Sequence, residues 1–239
     1  MTMLQQLTVG VVGCGGVGSA VAEQLLRLGV GRVVAVDPCA VDGDDLTRCY
    51  GTTQDDAARA IYRVDVVARL ATALGRSEAA DAVIGDLQDR AVTRRLAGTD
   101  MIFACDLTSW QRTALERLAA RYLLPVIDCA AALDAMSNGL DDALERLVSV
   151  PRKPLLDRDR GVTDETATRG RHDGAASIGA NRTLGPMTRT IPLDTIAAGL
   201  AVAAFLQMVD GGGHGAMPPI RPSRPVTSSL SCTEAESAA

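Results

Sequence analysis

Two hydrophobic periods alternate along the first 130 residues of this chain. Short apolar runs of strand length occur at 7–12, 101–105 and 126–128. Between them, apolar residues recur every three or four positions, as at 64–74, which is the spacing of one helix face. Strands that alternate with helices in this way predict an α/β fold with a doubly wound, mostly parallel, Rossmann-like sheet.

The same pattern sets the expected elements. A second strand ends just before Asp37, and a third, short strand lies at 82–84. Thr53, followed three residues later by Asp56, is a typical helix start. Helices are predicted from the glycines at 13–18 to residue 28, and at 64–74, 88–97 and 109–122.

The pattern changes after residue 130. The turn signal Ser137-Asn138-Gly139 predicts a short antiparallel extension of the sheet, and residues from about 151 to 190 predict a long crossing loop. Residues 193–209 are apolar on all sides but contain Asp194, Thr195, Gly199 and Gln207, which favours a core helix over a membrane span. We therefore expect one domain over residues 1–210, followed by a flexible tail at 211–239.

A glycine cluster follows the first predicted strand. Gly13, Gly15 and Gly18 have the GxGxxG spacing, with Gly16 inside it, and a helical pattern continues from there. In such a turn the first glycine makes the tight bend, the second lets the backbone approach a phosphate, and the third lets the helix pack closely on the strand. Asp37 ends the second strand, where an acid can accept hydrogen bonds from ribose hydroxyls. These features predict a nucleotide site.

The segment after Asp37 distinguishes between nucleotides. Before a helical pattern resumes, the chain runs through an Asp-rich loop from 42 to 45 and reaches Arg48. The loop lacks the glutamate that would end a calcium loop, so a solvated turn is the better interpretation of its acids. An arginine held by a loop at the ribose acid is well placed for phosphate. Asp37 alone would permit an NAD-dependent oxidoreductase, but that function would not explain the loop from Asp42 to Arg48.

These motifs resemble the adenylyltransferase family of ThiF, MoeB and the ubiquitin-activating enzymes, whose members read GxGGxG, GVG, an acid, D-x-V, N-x-x-R and later a helical lysine. The residues that match are Gly13, Gly15, Gly16, Gly18, Gly29, Gly31, Asp37, Val41 and Arg48. The resemblance implies binding of ATP and magnesium. It also implies activation of a carboxylate, the C-terminus of a small carrier protein or peptide, as an acyl adenylate.

The resemblance further implies roles for three residues. Arg48 and Arg63 would stabilise the leaving pyrophosphate, and Asp106 would bind magnesium. Arg63 stands in place of the family lysine, and a match without a gap puts Leu107 rather than Asp106 at the aspartate position. Asp106 could instead cap the following helix, and Arg63 could be a solvated charge.

Other departures support a rival function. Asp45 and Thr47 replace family asparagines, and no arginine precedes the first strand, where relatives carry one for the partner subunit's ATP. A catalytically degenerate subunit that pairs with an active homologue is therefore an alternative. The relatives pair through this fold, so we expect a homodimer or a heterodimer.

Composition narrows the remaining classes. The formal net charge of −5 gives no field for nucleic acid or for an anionic membrane surface. The six cysteines contain no CxxC pair, which disfavours structural zinc, and none lies between Cys129 and Cys232, so we expect no loop-cysteine thioester. The start of the chain is too short and glycine-broken for a signal peptide, and we expect a cytoplasmic protein with reduced thiols.

Overall fold

A six-stranded sheet forms the centre of the computed structural model, which describes residues 2–129, 148–149 and 191–210. The strand order is β3-β2-β1-β4-β5-β6; the first five are parallel, and β6 is antiparallel to β5. The strands are β1 (Thr8–Val12), β2 (Arg32–Val36), β3 (Ala80–Val83), β4 (Met101–Ala104), β5 (Val126–Asp128) and β6 (Val148–Ser149). The predicted α/β class and mostly parallel sheet are confirmed.

Helices cover both faces of this sheet. They are α1 (Met3–Gln6), α2 (Gly16–Leu28), α3 (Gln54–Ala58), α4 (Arg63–Ala73), α5 (Arg90–Leu96), α6 (Ser109–Tyr122) and α7 (Ile191–Asp210). On one face α2, α4 and α7 pack against Val11 and Phe103, and on the other α5 and α6 pack against Val12 and Ile102. Neighbouring strand residues thus enter opposite core layers, as the two-residue period of a strand requires.

Helix starts follow the capping signals in the sequence. Thr53 accepts a hydrogen bond from Asp56 N, and the Asp56 carboxylate accepts one from Thr53 N, which is the predicted capping box of α3. Thr108 and Gln111 make the same arrangement at the start of α6. The cap of α6 is therefore Thr108, not Asp106.

The apolar helix α7 packs inside the protein on one side. The rings of Phe205 and Phe103 meet edge to face, with centroids 5.9 Å apart. By length and composition α7 is also long and apolar enough to cross a membrane. Its contacts with α2 and with the sheet support the interpretation as a core helix.

Several predicted boundaries shift by one or two residues, and some predicted segments lie outside the described residues. The third strand lies at Ala80–Val83 rather than 82–84, and the helix expected at 88–97 spans Arg90–Leu96. The antiparallel extension is represented by β6. The turn at 137–139, the crossing loop at 151–190 and the tail at 211–239 lie outside the described residues.

Candidate functional site

The predicted site residues meet at the carboxyl ends of three parallel strands. Gly13 follows β1, Asp37 follows β2, and Asp106 comes two residues after β4. In chain order, β2 and β3 lie on one side of β1, and β4 follows on the other side of β1. Open α/β sheets bind ligands at such a reversal of strand order, outside the carboxyl ends of the strands.

Two glycines shape the turn between β1 and α2. Gly13 has φ +87°, and a Cβ atom there would lie 3.1 Å from the carbonyl carbon of Cys105 and overlap its oxygen. A Cβ atom on Gly18 would lie 2.8 Å from the carbonyl carbon of Gly13 and overlap that oxygen. The tight bend and the close packing of helix on strand, both expected from the sequence, are therefore present.

Gly15 is partly exposed in the site, whereas Gly16, the next residue, is buried. Gly15 precedes the first turn of α2 as its N-cap, without a side chain to cap the helix. A Cβ atom on Gly15 would lie 3.7 Å from Oδ2 of Asp106 and 4.0 Å from Nη1 of Arg63. The glycine turn, the acid and the arginine thus surround one volume at the positive end of the α2 dipole.

Asp37 is held by the backbone around it. Its Oδ2 accepts a hydrogen bond from Cys14 N at 2.6 Å, and its Oδ1 accepts one from Cys39 N at 2.7 Å. Arg63 Nη1 lies 3.8 Å from Oδ2. A carboxylate has about four lone-pair positions, so this orientation leaves acceptor capacity for ribose hydroxyls.

Arg63 lies in the first turn of α4 and pairs with a buried acid of the Asp-rich loop. Its Nε donates to Oδ2 of Asp45 at 2.8 Å. Burial alone lowers the pKa of Arg63, but the bond to Asp45 and the nearby Asp37 outweigh burial and raise that pKa. Arg63 is therefore a fixed cation in the site and not a solvated helix charge.

The predicted solvated turn at 42–45 is confirmed for Asp42 and Asp44, which are exposed, but it is wrong for Asp45, which is buried. Its buried carboxylate has further partners: Oδ2 also accepts a hydrogen bond from Asp42 N, and Oδ1 accepts one from the thiol of Cys49. A buried carboxylate requires such partners. The loop is thus a fixed part of the site, and it holds the following 3-10 turn, Asp45–Thr47, in place.

Arg48 follows that turn and lies between two carboxylates. Its Nη2 is 3.5 Å from Oδ2 of Asp106 and 3.3 Å from Oδ2 of Asp194. Sequence reasoning treated Asp194 only as an interruption of an apolar helix. An acid in the first turn of an otherwise apolar helix was the available signal, but its partner, Arg48, is 146 positions away in the sequence.

Asp106, and not Leu107, reaches the glycine turn. Asp106 has φ +55°, a left-handed conformation that aspartate adopts more readily than most residues. Its carboxylate lies beside Gly15 and Arg48, whereas Leu107 packs against the core layer of α5 and α6.

Among the thiols near the site, those of Cys14, Cys105 and Cys129 are buried, whereas Cys39, next to Asp37, is exposed. Sγ of Cys105 and Sγ of Cys129 are 3.5 Å apart, and both side chains are fully buried. The hydrogen bond to Cys129 and burial raise the pKa of Cys105, while burial raises that of Cys14. Because a thiol is nucleophilic only as its thiolate, the geometry favours a packing role for these cysteines.

A magnesium ion fits the donor set of the site only together with a ligand. Among the described residues, no cluster of three or more histidine, cysteine or acidic side chains is placed to hold a metal. Asp106 provides a carboxylate at the glycine turn. Magnesium in nucleotide enzymes is typically held by one or two carboxylates together with substrate phosphates and waters, so the residues present fit that mode.

Solved structures of other proteins share the fold of this chain. The microcin C7 biosynthetic enzyme MccB in complex with N-formylated MccA aligns with a TM-score of 0.59 and 15% identity, over 91% of this chain and 60% of that chain. MccB of E. coli with ATP aligns with a TM-score of 0.56 and 15% identity, over 91% of this chain and 58% of that chain. PaaA aligns with a TM-score of 0.55 and 17% identity, over 92% of this chain and 68% of that chain. Alignments with MccB cover 37% to 60% of the MccB chain.

A sequence comparison gives the family. No curated protein matches the chain. The model of the ThiF family matches residues 1–217, which include every predicted site residue as well as Asp194. The chain therefore belongs to the ThiF family.

Proposed function

We propose that this protein binds ATP and transfers its adenylyl group to a carboxylate. One observation carries the proposal: Arg48, Arg63 and Asp106 converge on the glycine turn at the start of α2. Arginines and a helix N-terminus attract phosphate, and a lone carboxylate among them suits a phosphate-bound metal. Family membership supports the same chemistry.

In this proposal, two groups of contacts would hold the nucleotide. Asp37, oriented by Cys14 N and Cys39 N, would accept hydrogen bonds from the ribose. The phosphates would then extend over Gly15 toward Arg63 and Arg48. This orientation puts the α-phosphate close to the helix N-terminus and the β- and γ-phosphates among the arginines.

The proposed reaction is a substitution at the α-phosphorus. A carboxylate oxygen of the substrate attacks the α-phosphorus, a new acyl phosphate bond forms, and the bond from the α-phosphorus to the bridging oxygen breaks. Pyrophosphate leaves with the electron pair of that bond. Arg48 and Arg63 stabilise the charge that accumulates on it, so the protein contributes positioning and charge neutralisation.

Magnesium, when held by Asp106 and the phosphates, would neutralise part of the phosphate charge. The chain's own contribution is then to keep Asp106 directed at the glycine turn. The left-handed backbone at Asp106 and the packing of Leu107 on the opposite core layer provide that orientation.

We propose a peptide or small carrier protein with a free C-terminal carboxylate as the substrate. In support, the structurally similar MccB has been crystallised in complex with N-formylated MccA. The sequence from 130 to 231 contains no cysteine, so the acyl adenylate would pass directly to an acceptor without a thioester to a crossing-loop cysteine.

The test is ATP–pyrophosphate exchange with paired peptides. A panel of peptides is supplied once with a free C-terminal carboxylate and once with a C-terminal amide. The proposal expects exchange with at least one free acid and none with its amide twin, because only the acid has the attacking oxygen. Exchange that is equal for both members of every pair would contradict the proposed substrate.

A catalytically degenerate subunit remains the second candidate. The observation that favours it is the position of Arg48 between Asp106 and Asp194, where two carboxylates already satisfy the arginine meant for phosphate. Such a subunit would bind an active homologue and remain silent in exchange alone. Restoration of exchange by a co-purified homologue, lost when the homologue's own site is inactivated, would support it.

We further propose a dimer in the cytoplasm. Ile191 and Ile196 on α7 are exposed by 39% and 44%, and a partner subunit would remove this apolar surface from water. The described cysteines are free thiols, which suits a reducing compartment. Light scattering at micromolar concentration should give twice the mass of one chain; a stable monomer would contradict the dimer.

A further inference from the structure

Asp194 lies at the place where a nucleotide phosphate would approach α2. The residue is on the first turn of α7, and its side chain is 1% exposed. Its Cγ lies 2.8 Å from the position that a Cβ atom on Gly16 would occupy, and its Oδ2 would overlap that atom. Only a glycine at position 16 lets the carboxylate come this close to the N-terminal turn of α2.

The same carboxylate also engages the arginine expected to hold phosphate. Asp194 Oδ2 lies 3.4 Å from Nε and 3.3 Å from Nη2 of Arg48. A helix N-terminus and a guanidinium are the two features that make a phosphate site. Asp194 contacts the arginine and packs on the helix start, as a bound phosphate group would.

The net charge of the site also opposes the binding of a polyphosphate. Four carboxylates, from Asp37, Asp45, Asp106 and Asp194, lie within 4.0 Å of the two guanidiniums of Arg48 and Arg63. The formal excess is two negative charges. A polyphosphate brought into this arrangement is repelled unless one carboxylate withdraws or a cation comes with it.

We propose that Asp194 is an internal competitor for the phosphate position and sets the affinity of the site for nucleotide. This inference rests on the proposed ATP site. When ATP binds, its phosphates take over Arg48 and the start of α2, and the first turn of α7 moves to withdraw the carboxylate. Asp194 is thus an affinity-determining residue, and the N-terminal end of α7 is coupled to occupancy of the site.

Arg48 is the side chain for which Asp194 and the phosphate compete. Its guanidinium lies between Asp194 on one side and Asp106 on the other. Departure of Asp194 would free Arg48 for phosphate while Asp106 stays beside Gly15. The competition therefore opens the phosphate position without removing the proposed magnesium ligand.

The experiment compares the parent chain with Asp194→Asn, which keeps the shape of the side chain and removes its charge. Calorimetric titrations use ATP with magnesium and, separately, inorganic pyrophosphate with magnesium. We expect the variant to bind both probes about tenfold more tightly than the parent, because a like charge is removed from beside the phosphate. Asp81→Asn is the matched control, since it makes the same charge change at the Arg95 ion pair on the edge strand and should leave both affinities unchanged.

The outcomes separate this inference from the proposed function. If the parent binds ATP and Asp194→Asn binds it equally or more weakly, the inference is overturned and the ATP site stands. If the variant binds both probes and the parent binds neither, the inference is supported, and the parent chain needs another factor to open its site. If neither protein binds either probe, both proposals are overturned.

A second measurement needs no variant. Hydrogen exchange of the parent chain should show faster exchange of the amides of residues 195–198 when ATP and magnesium are present, because these amides bond to the carbonyls of the first turn of α7, which gives up its contact with Arg48. Unchanged or slower exchange there, with ATP bound, would contradict the withdrawal of Asp194 even if Asp194→Asn failed to fold.

Discussion

Arg63 donates from Nε to Oδ2 of Asp45 across 2.8 Å, and this bond ties the first turn of α4 to the loop that carries Arg48. A second nitrogen of the same guanidinium lies 3.8 Å from Asp37. One side chain therefore connects the ribose acid, the Asp-rich loop and the helix. A compact ammonium cannot reproduce this two-sided geometry, so the arginine found in place of the family lysine has its own structural reason.

Replacement of Arg63 by lysine should separate charge from geometry. Arg63→Lys keeps the positive charge but loses the simultaneous contacts to Asp45 and Asp37. We expect the Kd for ATP to rise by about tenfold, with the fold retained. Calorimetry measures the change, and Arg59→Lys is the control, because Arg59 pairs with Asp55 on the exposed surface of α3. Equal ATP affinity in parent and Arg63→Lys would show that charge alone suffices.

Asp106 should matter for chemistry more than for stability. Asp106→Asn retains the size of the side chain and its place beside Gly15, but it removes the carboxylate charge. Loss of one such transition-state contact is worth about 2.7–4 kcal/mol, so pyrophosphate exchange should fall by about a hundredfold or more. Circular dichroism should be unchanged, since Thr108 and not Asp106 caps α6. An exchange rate equal to that of the parent would remove Asp106 from the mechanism.

Gly18 should be intolerant of even one added methyl group. A Cβ atom there would overlap the carbonyl oxygen of Gly13, which belongs to the backbone of the glycine turn and cannot turn aside as a flexible side chain can. We expect Gly18→Ala to lower the free energy of unfolding by about 1–3 kcal/mol and to weaken ATP binding. Gly43→Ala is the control, because nothing lies within 4 Å of its added atom. Thermal unfolding of the two variants should therefore differ clearly; equal midpoints would contradict the packing argument.

Asp56 predicts a pH dependence outside the nucleotide site. Hydrogen bonds from Arg69 lower the pKa of Asp56, and this effect is stronger than that of burial, which raises the pKa. Bonds from Thr53 lower the pKa further, to well below its usual value. A lowered pKa in the folded state means that Asp56 contributes stability above the unfolded-state pKa of about 4 and loses it as the pH falls through the folded-state value. Asp56→Asn should cost about 1–2 kcal/mol at pH 7.

Urea unfolding of the parent and Asp56→Asn at several pH values measures this contribution. The gap between the two proteins should be constant from pH 7 to pH 5 and should narrow below about pH 4. A gap that stays the same down to pH 2 would show that the carboxylate charge contributes nothing at this position.

Local signals were sufficient for most of the fold. The period of apolar residues located the strands, and the Thr53 and Asp56 pair predicted the start of α3, because a capping box is complete within four residues. Gly13 and Gly18 were interpreted correctly for the same reason: the turn they make is local in sequence. Gly15 and Asp106 needed the fold, since only the sheet brings the ends of β1 and β4 together.

The missed features are contacts between distant parts of the chain. Asp45 departs from the predicted solvated turn because Arg63, 18 positions later in the sequence, makes it a buried partner. Asp194 is joined to Arg48 across 146 positions, a pairing that no periodicity encodes. Only the tertiary structure supplies the partner that a buried charge requires.

Calorimetric titration with ATP and magnesium, in parallel with NAD, tests the central claim most directly. If Arg48, Arg63 and Asp106 form a triphosphate site, ATP binds and NAD binds far more weakly, since its single pyrophosphate uses fewer of these groups. Asp37→Ala should weaken whichever nucleotide binds, because it removes the expected ribose acceptor, whereas Arg48→Ala should weaken ATP alone. Tight binding of NAD with no binding of ATP would contradict the account.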